Sequence, residues 1–146
     1  MKENVNGLMV DKENQVFFSA YSAEGHVTGA LKFPNIVLNH GNGFDGTKFV
    51  APVKGYYTFT FSGQQGHAKE SVVAIDLFVM KNGNTVLTIL DHTENGSGDW
   101  FNNLSYTFTK LLDENDSISL ELPNNDYLYG GSGYRLTFEG HLLLTA

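Results

Sequence analysis

Between Thr93 and Asn103 the chain reads Thr-Glu-Asn-Gly-Ser-Gly-Asp-Trp-Phe-Asn-Asn, which sets its single tryptophan beside a phenylalanine and among carboxylate and carboxamide groups. An indole face stacks on a flat apolar ring surface, while nearby Asp and Asn side chains direct hydrogen bonds to hydroxyls. That combination is what sugar recognition requires. Asp99, Trp100 and Asn102 therefore form a first candidate ligand-binding patch. A second lies in Asn124-Asn125-Asp126-Tyr127-Leu128-Tyr129-Gly130-Gly131, where Tyr127 and Tyr129 again sit among turn residues. The competing reading of Trp100 is that it opens the next strand and packs into the core.

Other chemistry is sparse. With no cysteines, disulfides, thiolate zinc sites and cysteine nucleophiles are excluded together. The five histidines fall outside any His-Glu-x-x-His arrangement, and no Gly-x-Ser-x-Gly elbow is present. The chain is therefore read as non-enzymatic and without a resident cofactor. Asp91, Glu94 and Asp99 are the candidates for a calcium site, although calcium takes about 6–8 oxygens in one place and the carboxylates here are dispersed along the chain. Gly41-Asn42-Gly43-Phe44-Asp45-Gly46 matches a dinucleotide fingerprint in letters only, because a strand-like segment ending in Pro52 follows where a helix would have to open. Asn95-Gly96-Ser97, Asn103-Leu104-Ser105 and Asn115-Asp116-Ser117 are glycosylation sequons that matter only in a secreted chain.

The net charge is −7, and its placement is uneven. Between Asn82 and Gly133 eight carboxylates face one base, Lys110. Such a surface repels phosphate backbones and argues against nucleic acid as a partner. No stretch approaches the roughly 20 apolar residues that a membrane helix needs. Met1 to Val5 lacks the apolar region of a signal peptide, which leaves two readings: a cytosolic chain, or a mature domain carrying an added Met.

The elements that must position these residues are strands. Tyr57, Phe59 and Phe61 alternate with Thr58 and Thr60, and Ile118, Leu120 and Leu122 alternate with Ser119 and Glu121. Leu104, Tyr106 and Phe108 do the same, as do Tyr134, Leu136, Phe138, Gly140 and Leu142. A period of two marks half-buried strands. Asn82-Gly83 signals a type I′ hairpin between Val73–Met80 and Thr85–Leu90. About ten strands at hairpin spacing predict an all-β sandwich or jelly roll over residues 15–146, behind a lead-in or tail over 1–14. The run Val72 to Met80 is apolar on nearly both faces, which predicts either a central strand under a loop or a face covered by a neighbouring subunit.

At Phe33 to Phe61 the sequence resembles the C1q family. Its hallmark runs Phe, five residues, Asn or Asp, four residues, an aromatic, a short turn, Phe, five residues, then Gly-x-Tyr-x-Phe. Here it reads Phe33, Asn39, Phe44, Phe49 and Gly55-Tyr56-Tyr57-Thr58-Phe59, with the turn Asp45-Gly46-Thr47-Lys48 two residues shorter than usual. Val16-Phe17-Phe18-Ser19-Ala20, Ala51-Pro52-Val53, Leu111–Ile118 and Phe138-Glu139-Gly140-His141-Leu142-Leu143 extend the similarity over about residues 15–145. The resemblance implies a ten-stranded jelly roll like that of tumour necrosis factor, a homotrimer, and a secreted, extracellular recognition role without membrane insertion. A stand-alone lectin-like member would bind glycans or microbial surface molecules. The alternative is a module for a cell-surface receptor or another extracellular protein.

Overall fold

The computed structural model describes residues 2–5, 8–11, 15–25, 29–66, 72–94, 101–122, 128–129 and 136–146. Its elements are the strands β1 (Lys2–Val5), β2 (Leu8–Asp11), β3 (Phe17–Ser22), β4 (Gly29–Ala30), β5 (Asn35–His40), β6 (Lys48–Val50) and β7 (Gly55–Gly66). They continue with β8 (Val72–Lys81), β9 (Asn84–Glu94), β10 (Phe101–Leu112), β11 (Ser117–Leu122), β12 (Leu128–Tyr129) and β13 (Leu136–Thr145).

β1 and β2 pair with each other as a hairpin. The remaining strands form two antiparallel sheets. One runs β10-β7-β13-β3-β5, with β12 also on β7; the other runs β4-β11-β8-β9, with β6 on β11. Most neighbours are distant in sequence, as a jelly roll demands. Three of the eleven sheet strands, β4, β6 and β12, have two or three residues. They are too short to show alternation, so sequence periodicity registers only the longer ones.

The period-two pattern becomes the core. Tyr57, Phe59, Phe61, Ile118, Leu120, Leu122, Leu136 and Phe138 are all fully buried between the sheets. Aromatic rings fill the centre: Phe18 stacks on Phe44 with centroids 4.4 Å apart and meets Phe138 edge-on at 5.2 Å. Phe59 contacts Phe108 at 5.3 Å and Phe49 at 5.5 Å. Gly140 makes room for these rings, since a Cβ there would stand 2.5 Å from the Phe18 ring and 2.7 Å from that of Phe59. Tyr57 carries its hydroxyl inward and donates it to the Val53 carbonyl at 2.7 Å; burial pushes the phenol above its ordinary value of 10.0.

Tyr106 departs from the expected pattern. It shares the alternation of Leu104 and Phe108 but is 38% exposed, because β10 is an edge strand with only one neighbour to cover it. The apolar run at β8 divides as well. Leu77 and Val79 are buried in the core, whereas Phe78 and Met80 are half-buried on the outer face, between Glu121 and Thr88 and between Ser119 and Thr85. The hairpin at Asn82-Gly83 is formed as expected, with φ of 51° and 80° at the two turn residues.

Candidate functional site

The family hallmark is built around one carboxamide. Asn39, at the end of β5, donates its Nδ2 to the Phe44 carbonyl at 2.8 Å and accepts the Phe44 amide on Oδ1 at 3.1 Å. Asp45 then accepts the Thr47 and Lys48 amides on one oxygen, at 2.9 and 2.8 Å. These bonds close the shortened turn and deliver Phe44 and Phe49 to the core. The Gly41–Gly46 segment is thus a linker between β5 and β6, with no helix to hold a pyrophosphate.

The described members of the two candidate ligand patches, Asn102 and Tyr129, lie toward one end of the six-stranded sheet. Phe101 stands opposite Gly66 and Asn102 opposite Gln65; on the other flank of β7, Leu128 stands opposite Gln65 and Tyr129 opposite Gln64. The same end of the sheet holds the start of β13, the end of β3 and the start of β5. Asn102 and Tyr129 therefore lie on strands two spacings apart, about 9–10 Å. Asp99, Trp100 and Tyr127 lie outside the described residues, directly before the strands that begin at Phe101 and Leu128.

Between the flanking strands sits a residue that the sequence reading missed. Gln64 donates its Nε2 to Asn103 Oδ1 at 3.3 Å, while its Oε1 is buried without a partner. An orphan buried acceptor costs stability unless something supplies a donor. A Gln-Gln pair at the end of an aromatic strand was visible in the sequence, but only the register places it between the strands that carry Asn102 and Tyr129.

The metal candidates are less concentrated. Asp91 and Glu94 lie on β9, opposite Ile75 and Val72, and Asp99 lies outside the described residues. Among the described residues no group of three or more His, Asp or Glu is placed to hold a metal ion. His40 and His141 are exposed, His40 stacking on Phe17 at 5.1 Å.

The outer face of the six-stranded sheet is ordered in rows. Leu111, Tyr56 and Leu144 lie across its first three strands at one end. Two threonine pairs follow, Thr58 with Thr109 and Thr60 with Thr107, each with Oγ1 atoms 2.9 Å apart. Ser62 and Thr137, 2.6 Å apart, come next, and Gln64 and Asn103 close the series at the ligand-patch end. In the rows from Leu111–Tyr56 to Ser105–Ser62, Glu139 is the one side chain with a fixed charge.

The two antiparallel sheets, packed around a buried aromatic core, define an all-β jelly-roll domain. More specifically, the chain belongs to the C1q domain family, whose model matches residues 8–143. It is 33% identical over 138 residues to mouse Complement C1q tumor necrosis factor-related protein 3 and 32% identical to the human protein of that name. Both alignments cover 92% of this chain and 53% of the relative, so the chain spans about half their length. The globular domain of zebrafish complement 1qA protein has the same fold, with a TM-score of 0.65 over 90% of this chain and 99% of that one, at 16% identity.

Proposed function

We propose that this domain works outside the cell as a trimeric recognition module and binds glycans or microbial surface molecules through the loops around Gln64 and Gln65. The observation that supports it most is the sparse charge on the outer face of the six-stranded sheet. The chain carries 16 acidic and 9 basic residues, yet this face holds Glu139 alone among its central rows. It also exposes Leu143, Leu144, Leu38, Leu111 and Tyr56. Interface cores between subunits are depleted of charge and rich in such residues. Copies meeting on this face would present three loop clusters in one direction, and three weak sugar contacts would act together by avidity.

Light scattering at micromolar concentration tests the assembly: a trimer mass is expected, and Leu144→Asp is expected to give folded monomers. A monomer mass for the unaltered chain would refute it. A glycan array tests the ligand. Binding to defined sugars, reduced by Trp100→Ala, is the expected result.

A second reading is favoured by a separate observation. The outer face of the other sheet carries half-buried Phe78 and, one row away on β9, Leu90 at 63% exposure. Aliphatic and aromatic groups on a flat sheet suit a protein partner better than a sugar. Retention of a receptor protein by the domain, with a blank glycan array, would favour that reading.

A further inference from the structure

Four Asn-Gly pairs occur in the chain, and one of them holds two distant turns together. Asn82 opens the β8–β9 turn. Its Oδ1 accepts the Ser117 amide at 2.8 Å and the Ser117 hydroxyl at 3.4 Å, and its Nδ2 donates to Asp116 Oδ1 at 2.8 Å. The Asn82 backbone amide adds a bond to the Ser117 carbonyl at 3.1 Å. Asp116 uses its other oxygen to accept the Asp113 amide at 2.8 Å, and Lys81 Nζ lies 3.5 Å from it. One carboxamide therefore joins the β8–β9 hairpin to the turn between β10 and β11.

We infer that Asn82 is a site of spontaneous deamidation that the native fold restrains and whose products cannot rebuild this junction. In the reaction the Gly83 backbone nitrogen attacks Asn82 Cγ. The carboxamide C–N bond breaks, and the amide leaves as ammonia. Water then adds to one carbonyl of the succinimide ring, which opens to aspartate or isoaspartate; the net change is water consumed and ammonia released. Glycine lacks the Cβ that would hinder ring closure. In the folded chain Cγ is instead held toward β11 by bonds at both of its heteroatoms, so ring closure requires local opening.

The product is mismatched in either form. Aspartate would set a second carboxylate against Asp116 Oδ1 where an N–H now donates. Asp116 is ionised at neutral pH: the Asn82 amide above all, and then the Asp113 amide, hold it below its ordinary value of 3.8. Like charges at that distance repel. Isoaspartate adds a methylene to the main chain and breaks the two-residue turn. Asn42-Gly43 is the internal comparison, because Asn42 also has a positive φ of 54° but its exposed carboxamide has no partner among the described residues.

The test is peptide mapping by mass spectrometry of the full chain, held at mildly alkaline pH either folded or in denaturant. Conversion at Asn82 is expected to be slower in the folded chain by on the order of tenfold or more, as for a reaction gated by opening. Asp116→Ala should raise the Asn82 rate relative to that of Asn42, which separates loss of the local bond from general unfolding. Asn82→Asp should melt several degrees lower, and adding Asp116→Asn should restore much of the loss. Equal Asn82 rates in folded and denatured chains, no relative gain in Asp116→Ala, or an unshifted melt of Asn82→Asp would each overturn the inference.

Discussion

At one end of the sandwich, the turns at Asn82 and at Asp113–Asp116 hold each other. Asn82 bonds Asp116 and Ser117, the Ala51 carbonyl accepts the Asn115 amide at 2.8 Å, and the Ala51 amide donates to Asp116 at 2.9 Å. At the other end, where β7 finishes between β10 and β12, Gln64 shares one long bond with Asn103 and keeps an acceptor without a donor. The same two sheets support both ends, so the difference lies in the polar groups at their ends and not in the core. Hydrogen bonds spent on neighbouring turns fix a shape; polar groups left over are what a ligand can use. Loops carried on a rigid scaffold are where binding concentrates.

Five changes would break or sharpen this contrast. The largest effect is expected from the core that both ends share. Phe59→Ala removes a fully buried ring that touches Phe18, Phe49, Phe108 and Phe138. A loss of about 3–5 kcal/mol is expected from denaturant titration, with both ends failing in one transition.

Next is the ligand end. A stacked indole contributes on the order of 1–3 kcal/mol, with base–aromatic stacking as the nearest analogue. Trp100→Ala should weaken sugar binding roughly 5–150-fold by that arithmetic, with the melting temperature unchanged. Calorimetry and thermal unfolding on the same variant decide it: a large stability loss would instead assign Trp100 to the core.

At the tied end, Asn82→Ala removes exposed hydrogen bonds and the carboxamide that makes asparagine tolerant of a φ of 51°. The lost bonds and the less favourable left-handed backbone together should cost about 1–2 kcal/mol, read as a lower melting temperature with sugar binding unchanged.

A smaller effect is the acid response of the same end. Because the folded chain holds Asp116 below 3.8, its contribution is fully present above that pH and is lost as pH falls through the lowered value. Melting temperature followed from pH 5 downward, in the range about pH 5–2, should fall less steeply in Asn82→Ala than in the unaltered chain.

The smallest change is Gln64→Leu. It removes the unpaired acceptor and the 3.3 Å bond together, so stability should move by no more than about 0.5 kcal/mol. A fall in sugar binding with unchanged melting would make Gln64 a ligand contact; a large loss of stability would show that it is structural.

Much of the fold was legible in the sequence because burial leaves a periodic trace. Phe59, Leu120 and Phe138 alternate with polar neighbours, since successive strand residues point to opposite faces, and each is buried where that alternation puts it. The Asn82-Gly83 hairpin was legible for a local reason: two consecutive positive φ values restrict the residue types. Tyr106 and Phe78 were less so, because their cover depends on whether a strand has a neighbour on both sides. The site residues Asp99, Trp100 and Tyr127 were chosen by chemistry alone. They lie outside the described residues; that Asn102 and Tyr129 come to one sheet end follows from pairings across more than 30 residues of chain, such as Phe101 with Gly66 and Leu128 with Gln65.

The sequence by itself determined the all-β class, the buried aromatic set and the turn at Asn82, because alternation and turn chemistry act over a few neighbouring residues. Only the tertiary structure decided that β7 would lie between β10 and β12, that Gln64 would be left with an unpaired oxygen, and that Asn82 would spend its carboxamide on Asp116 and Ser117. Those contacts join residues about 35 or more positions apart, and which of them form is settled by how the two sheets pair and pack together.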